Sequence, residues 1–197
     1  AENAEMTAFD TPIATGESIR IRMSLRVTAA AMPIGVDSFE LEYGERDGVV
    51  VTTCSGITDW KLLGDIGSTT ALWRGVNATP ADGTTLPSAL LSETTVLGTY
   101  EEQNNTALTP NLALVNDVME FDWNIEHHVA KQKTDYCFRM VEADDTPFIG
   151  YGTYPVIRTV GYGPVIGNWR FYDDETLPND FEEFWDKGKE ELAKVPV

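Results

Sequence analysis

"SIRIRMSLRVT", residues 18–28, decides the fold class. Ile19, Ile21, Met23, Leu25 and Val27 alternate with Arg20, Arg22, Ser24, Arg26 and Thr28. A period of two sends successive side chains to opposite faces of a strand. The apolar residues therefore share one face and the arginines the other. Such a strand is half-buried in an antiparallel sheet. A row of arginines is also the raw material of an anion site. In a chain this acidic, pairing with carboxylates on neighbouring strands is the expected use.

The same period recurs after this stretch. "DSFELEYGER" places Phe39, Leu41 and Tyr43 inward and Glu40 and Glu42 outward, where the glutamates suit the arginines of the first strand. "GVVVTTC" reads as a third strand, and "ITDWKLLGDIGS" continues with Trp60 to a Gly-bounded turn. "NATPADGTTLPS" is loop, broken by Pro80, Asp82-Gly83 and Pro87. "ALLSETTVLGTYEEQNNTALTPN" is ambiguous: it reads as a short helical turn, then a strand or an irregular excursion to Pro110. "DVMEFDWNIEHHV" alternates Phe121, Trp123 and Ile125 with Asp122, Asn124 and Glu126. "TDYCFRMVEADDTP" is strand then turn. "YGTYPVIRTVGYG" is a final strand, and Pro155 near its start favours an edge or a bulge. Short strands between turn clusters indicate an all-β antiparallel sandwich over residues 17–162, after an extension at 1–16.

From Gly163 the character changes. Residues 163–178 read as an acidic linker, and 179–197 as one amphipathic helix. Asn179 with Glu182 forms a capping-box pattern, and Pro178 stops the helix from extending backwards. Phe181, Phe184, Trp185, Leu192 and Val195 fall on one stripe, with Gly188 among them. This is a docking element, for its own sandwich or for a neighbour.

Composition bounds the partners. Of 197 residues, 42% are hydrophobic, enough for a substantial core. Asp and Glu outnumber Lys and Arg by 32 to 14, for a formal charge of −18. That opposes binding to nucleic acid or an anionic membrane, since both are polyanions. No apolar run reaches the roughly 18 residues a membrane-spanning helix needs. The start, "AENAEMTAFD", has no initiator Met and reads as the mature end left by signal-peptide removal, so an extracellular location is expected. Cys54 and Cys137 are the only cysteines. An even pair in a secreted chain points to one disulfide, with two buried thiols as the alternative.

Candidate chemistry is sparse. His127 and His128 are the only histidines, and adjacent strand residues face opposite ways, so they are poorly placed to share a metal. Acidic clusters at Glu142, Asp144 and Asp145, and at Asp173, Asp174 and Glu175, offer oxygen ligands for a structural Ca²⁺, though neither has EF-hand spacing. The plain alternative is a solvated turn. No other cofactor is expected. Trp60, Trp73 and Trp123 are possible sugar-stacking platforms. Trp123 is in phase with the core pattern, and Trp73, beside a loop, is the best candidate for carbohydrate contact. Asn77 and Asn104 stand in N-glycosylation sequons.

Two resemblances add to this reading. Residues 17 to 160, with "IRIRMSLRVTAA", "SFELEYGERDG", "WRGVNATPADGTTL", "TYEEQNNT" and "TDYCFRMVEADDTPFIGYGTYPVIRT", resemble a module of large surface proteins of candidate-phyla bacteria. The resemblance implies an immunoglobulin or fibronectin type III-like sandwich with a structural or adhesive role, and no catalytic residues. Thr134, Tyr136, Phe138, Arg139 and Met140 are similar to the penultimate strand of fibronectin type III domains. A cysteine at the position of Cys137 is frequent in that module, which supports the disulfide. The last 20 or so residues, "LPNDFEEFWDKGKEELAKVP", resemble the segment before the α/β-hydrolase domain of acetyl xylan esterases, through Asp180, Phe181, Phe184 and Trp185. That family needs a serine on a G-x-S-x-G elbow. The nearest approach, Gly16-Glu17-Ser18-Ile19-Arg20, fails at its last position.

The expectation is a non-catalytic secreted structural protein that self-associates into a filament or adhesin-like assembly. The alternative is an accessory or carbohydrate-binding domain of a carbohydrate esterase.

Overall fold

A computed structural model of the chain describes residues 12–160, apart from 49, 92, 103–106 and 149. The expected linker at 163–178, the helix at 179–197 and the candidates Asn104, Asp173 and Asp174 lie outside the described residues.

Strand-forming sequence yields nine strands: β1 (Ser18–Arg26), β2 (Ser38–Arg46), β3 (Lys61–Leu62), β4 (Trp73–Gly75), β5 (Val96–Glu101), β6 (Ala107–Leu108), β7 (Val118–His127), β8 (Asp135–Glu142) and β9 (Val156–Arg158). They form two sheets. In the first, β7 is central, with β1 along one side. Its other side is shared by β5 on the first half and β4 on the second. In the second sheet the order is β3-β2-β8-β9, and β6 joins β3 on the free side of β2. Both sheets therefore have a long central pair and an edge broken into two short strands. All the strand pairs are antiparallel except β5 with β7, which is parallel.

The core is the apolar face of each alternating strand. Ile21, Phe121, Trp123 and Ile125 of the first sheet and Leu41, Tyr136, Phe138 and Ile157 of the second are fully buried. Trp73 lies among them, its ring 5.1 Å from His127, 5.6 Å from Tyr136 and 5.2 Å from Phe138. Aromatic rings at these separations favour edge-to-face contacts, which bind the two layers together. The sheets are also joined at their corners. Ile13 bridges Thr159 beside β9, and Gly16 N–H then donates to His127 O at 2.8 Å in the other sheet. The β structure thus begins inside the segment expected to be an extension. On the far side Leu63 N–H donates to Leu41 O at 2.8 Å, and Gly64 N–H donates to Trp73 O at 3.0 Å.

Two expectations are corrected and one open stretch is resolved. "GVVVTTC" is not a strand: residues 51–53 are irregular and Cys54–Gly56 forms a single 3₁₀ turn. Both sides of β2 are taken by β8, β3 and β6, and the segment instead lies over the outer face of the second sheet, with Cys54 against Cys137. The arginines of β1 do not meet the glutamates of β2, because the two strands belong to different sheets. The open stretch after Ala89 resolves into β5 and β6, without an α-helix among its described residues.

Candidate functional site

The outward faces of the two sheets hold the charged residues, and each face is roofed by a loop. On the first sheet, β1 and β7 are in register with Arg22 opposite Asp122 and Ser24 opposite Glu120. Arg22 Nε donates to Asp122 at 3.0 Å, and its Nη1 donates to Glu120 at 2.9 Å. These carboxylates point away from the core, yet Glu120 is 0% and Asp122 3% exposed. The cause is the long β4–β5 connection. Its backbone N–H groups at Leu90 and Leu91 donate to Glu120 at 3.2 and 3.0 Å, and the Thr94 hydroxyl does so at 2.6 Å. One carboxylate so ties a loop to a strand and an arginine, and the fixed donors satisfy a charge that would be costly to bury alone. Burial pushes the Asp122 carboxyl up, against the opposing hydrogen bond and charge of Arg22. Arg26 pairs with Glu93 of the loop, Arg74 with Glu126, and Arg20 lies over the Tyr100 ring at 5.0 Å while donating to Thr79 O. Every arginine of β1 is thus committed to an internal partner.

The same loop closes the edge of β5. Gly83 N–H donates to Tyr100 O, Tyr100 N–H to Thr84 O, and Leu86 N–H to Gly98 O. Gly98 is required there, because a Cβ would stand 2.2 Å from Glu120 O. Beyond it, Glu101 and Glu102 are buried, with Asp82 accepting from Glu102 N–H at 2.8 Å. Burial first, and then the charge of Asp82, push Glu101 up to about 7, against the hydrogen bond it accepts from Thr99.

On the second sheet, Cys54 and Cys137 stand at disulfide distance, with sulfurs 1.99 Å apart. The bridge pins the loop after β2 onto β8. Ile57 and Trp60 then lie down over Gly44, where any Cβ would meet Ile57 Cγ2 at 2.5 Å. Arg139 Nε donates to Glu42 at 2.6 Å, and its guanidinium sits 4.3 Å from the Trp60 ring centre. The Trp60, Tyr154 and Tyr151 rings continue as a stacked column, with centroids 5.9 and 5.0 Å apart. All three are half-buried. At the far end of β8, Asp135 accepts from both Arg46 and Arg158. Burial alone would raise its pKa, but the two arginines outweigh it and hold the carboxyl below the usual range.

The sequence candidates distribute as follows. Trp73 is 0% exposed and Trp123 likewise, so neither ring can stack on a sugar. Trp73, a loop-border residue in sequence, opens β4 and turns inward opposite His127. Trp60 is the tryptophan of these three with solvent contact. His127 is buried, its Nε2 3.2 Å from Ala130 O, while His128 is half-buried. Asp144 is an exposed turn residue whose pKa is held low by hydrogen bonding first from the Thr146 side chain and then from Thr146 N–H, which donates to its carboxylate at 3.0 Å. Asp145 adopts φ 66°, the left-handed turn conformation that aspartate tolerates. No group of three or more potential metal ligands occurs among the described residues. Asn77 is exposed. Among the described residues, no helix is long and apolar enough to cross a membrane.

Sequence reasoning placed Tyr136 on a strand but missed the bond its hydroxyl makes. Its hydroxyl accepts from Lys131 N–H at 2.9 Å, tying the entry of β8 to the connection before it. The signal was present in "TDYCF", a tyrosine at a strand start, but the partner is backbone and has no sequence signature. No protein-family model matches the chain, and neither a curated protein nor a solved structure matches it.

Proposed function

We propose that this chain is a non-catalytic structural module of an extracellular surface assembly, a filament or adhesin-like subunit, built on an immunoglobulin or fibronectin type III-like sandwich. The order β9-β8-β2-β3 against β1-β7 supports the fold assignment: it is the arrangement of a G-F-C-C′ sheet facing a B-E sheet. The Tyr136 bond to Lys131 also supports it, since a tyrosine at the start of the penultimate strand that bonds upstream backbone is a corner device of such sandwiches. The observation that carries the functional reading is where the charge goes. Arg22, Glu120, Asp122, Arg139, Glu42, Arg46, Asp135 and Arg158 are engaged with each other and with two roofing loops, alongside a covalent bridge at disulfide distance. Such an arrangement makes a rigid body suited to an oxidising environment. Negative-stain microscopy of the purified chain tests the reading. Filaments or ordered oligomers are expected; monodisperse single particles at every concentration would refute it.

A second reading rests on the Trp60–Tyr154–Tyr151 column, an aromatic surface of the kind that binds sugar rings. It would suit a carbohydrate-binding accessory domain of an esterase. Glycan-array retention that is weakened by Trp60→Ala, and not by changes at the buried Trp73, is its expected outcome. No retention by the wild type removes it.

A further inference from the structure

The end of the sandwich where β1 passes to β2 carries a surface unlike the rest of the described residues. Two loops, residues 28–37 and 109–117, lie side by side there. Met32 and Ala113 exchange backbone hydrogen bonds at 2.8 and 3.1 Å. Gly35 N–H donates to Thr109 O at 2.8 Å, Thr109 N–H donates to Asp37 O at 3.1 Å, and the Thr109 hydroxyl donates to Pro33 O at 2.6 Å. The loops form one fixed platform.

That platform displays large apolar side chains to solvent. Ile34 is 64% exposed, Val36 66%, Leu108 51%, Leu112 52%, Leu114 56% and Val115 44%. Scattered exposed hydrophobics are ordinary, but a group of this size on one rigid tip marks an interaction surface. The tip is also almost uncharged. Residues 28–37 and 108–117 contain neither Lys nor Arg, and Asp37 and Asp117 are their only acids, in a chain of net charge −18. Asp117 is occupied locally, accepting from Leu114 N–H at 2.7 Å and from the Thr95 hydroxyl at 2.9 Å.

We propose that this tip docks on the same tip of a second copy of the chain, an inference that rests on the assembly reading above. Charge selects the occupant. Two bodies this acidic repel wherever carboxylates face each other, and the tip is where they meet with least opposing charge. Composition selects it again. The apolar tip needs an apolar partner, and the other large hydrophobics exposed among the described residues, Val50, Leu62 and Val129, are single and stand near Asp47, Lys61 and Lys131. Among the described residues, only another tip offers a matching patch. The contact is therefore isologous, the same residues contributed from both sides about a two-fold axis.

Sedimentation velocity of the full chain across a concentration series tests this, with the double variant V36D/L112D beside it. The wild type is expected to dimerise reversibly. The variant is expected to need at least about tenfold more protein for the same dimer fraction, with an unchanged melting midpoint because both side chains are exposed. Should that variant melt lower, I34S/V115S is held to the same criterion. A variant that associates like the wild type overturns the tip contact and leaves the assembly reading standing. A wild type that is monomeric at every concentration overturns both. A monomer that floats with phosphatidylcholine vesicles overturns the proposal in favour of a lipid occupant. So does a monomer whose tip amides lose exchange protection when residues 179–197 are deleted, in favour of that segment.

Discussion

Glu101 is 4% exposed, and burial beside Asp82 moves its carboxyl from 4.5 up to about 7. A folded-state pKa above the unfolded value means that the native state favours the protonated acid. The favourable contribution is complete below pH 4.5 and is lost as pH rises to about 7. Each tenfold difference in proton affinity between the folded and unfolded chain is worth about 1.4 kcal/mol, so the swing is on the order of 3–4 kcal/mol. Urea unfolding at pH 5 and pH 8 should show the wild type weaker at the higher pH and Glu101→Gln nearly level. Equal pH slopes in both proteins would contradict the assignment. Tyr136 tests a different residue-scale claim. Tyr136→Phe keeps the ring in the core but strands Lys131 N–H, which now donates to the hydroxyl at 2.9 Å. The expected cost is about 1–2 kcal/mol by denaturant midpoint. A neutral substitution would mean that water replaces the hydroxyl and that the corner is not a stabilising device.

At the scale of elements, the roofing loops explain what the sequence could and could not disclose. The disulfide-distance pair Cys54–Cys137 closes a span of 83 residues. In the chain-entropy model a loop of that size contributes about 4 kcal/mol. The double variant C54S/C137S is expected to unfold at a denaturant midpoint lower by that free energy, with Trp60 fluorescence reporting release of the loop from Gly44. A midpoint within error of the wild type would show that the packing of Ile57 and Trp60 holds the loop unaided. β1 was legible because one of its faces is apolar and the other charged, and β8 because Tyr136, Phe138 and Met140 keep the same period. β7 was legible as a strand, but its burial was not. Asp122 falls on the polar face of the alternation, and only the return of a loop distant in sequence buries it and Glu120. The "GVVVTTC" segment failed for the opposite reason: it has β-branched composition, but a strand needs a partner edge, and both sides of β2 were already taken. Trp73 failed because a loop border in sequence is an inward-facing strand start in space. The pairing of Arg22 with β7 rather than β2 is a property of topology, which local pattern does not encode.

Over the whole molecule, a formal charge of −18 acts against compactness. Ion pairs and repulsion respond to salt in opposite ways, so ionic strength can tell which dominates. The Debye length falls from about 30 Å at 0.01 M to about 8 Å at 0.15 M. Repulsion between distant surface carboxylates is screened over that range. The pairs that matter for the fold are sheltered: Arg22 with Glu120 and Asp122, and Arg139 with Glu42, have side chains no more than 13% exposed. Buried pairs are screened far less than exposed ones. Exposed pairs such as Lys131–Glu45 and Arg26–Glu93 contribute little to begin with. Added NaCl should therefore raise the melting temperature of the isolated chain, by a few degrees between 0.01 and 0.15 M, if about 1 kcal/mol of repulsion is relieved. Calorimetry at fixed protein concentration checks this, run below the concentration at which sedimentation detects association. A melting temperature that falls with salt would place the stabilising charge in exposed pairs instead, and would break the inference that the roofed faces carry it.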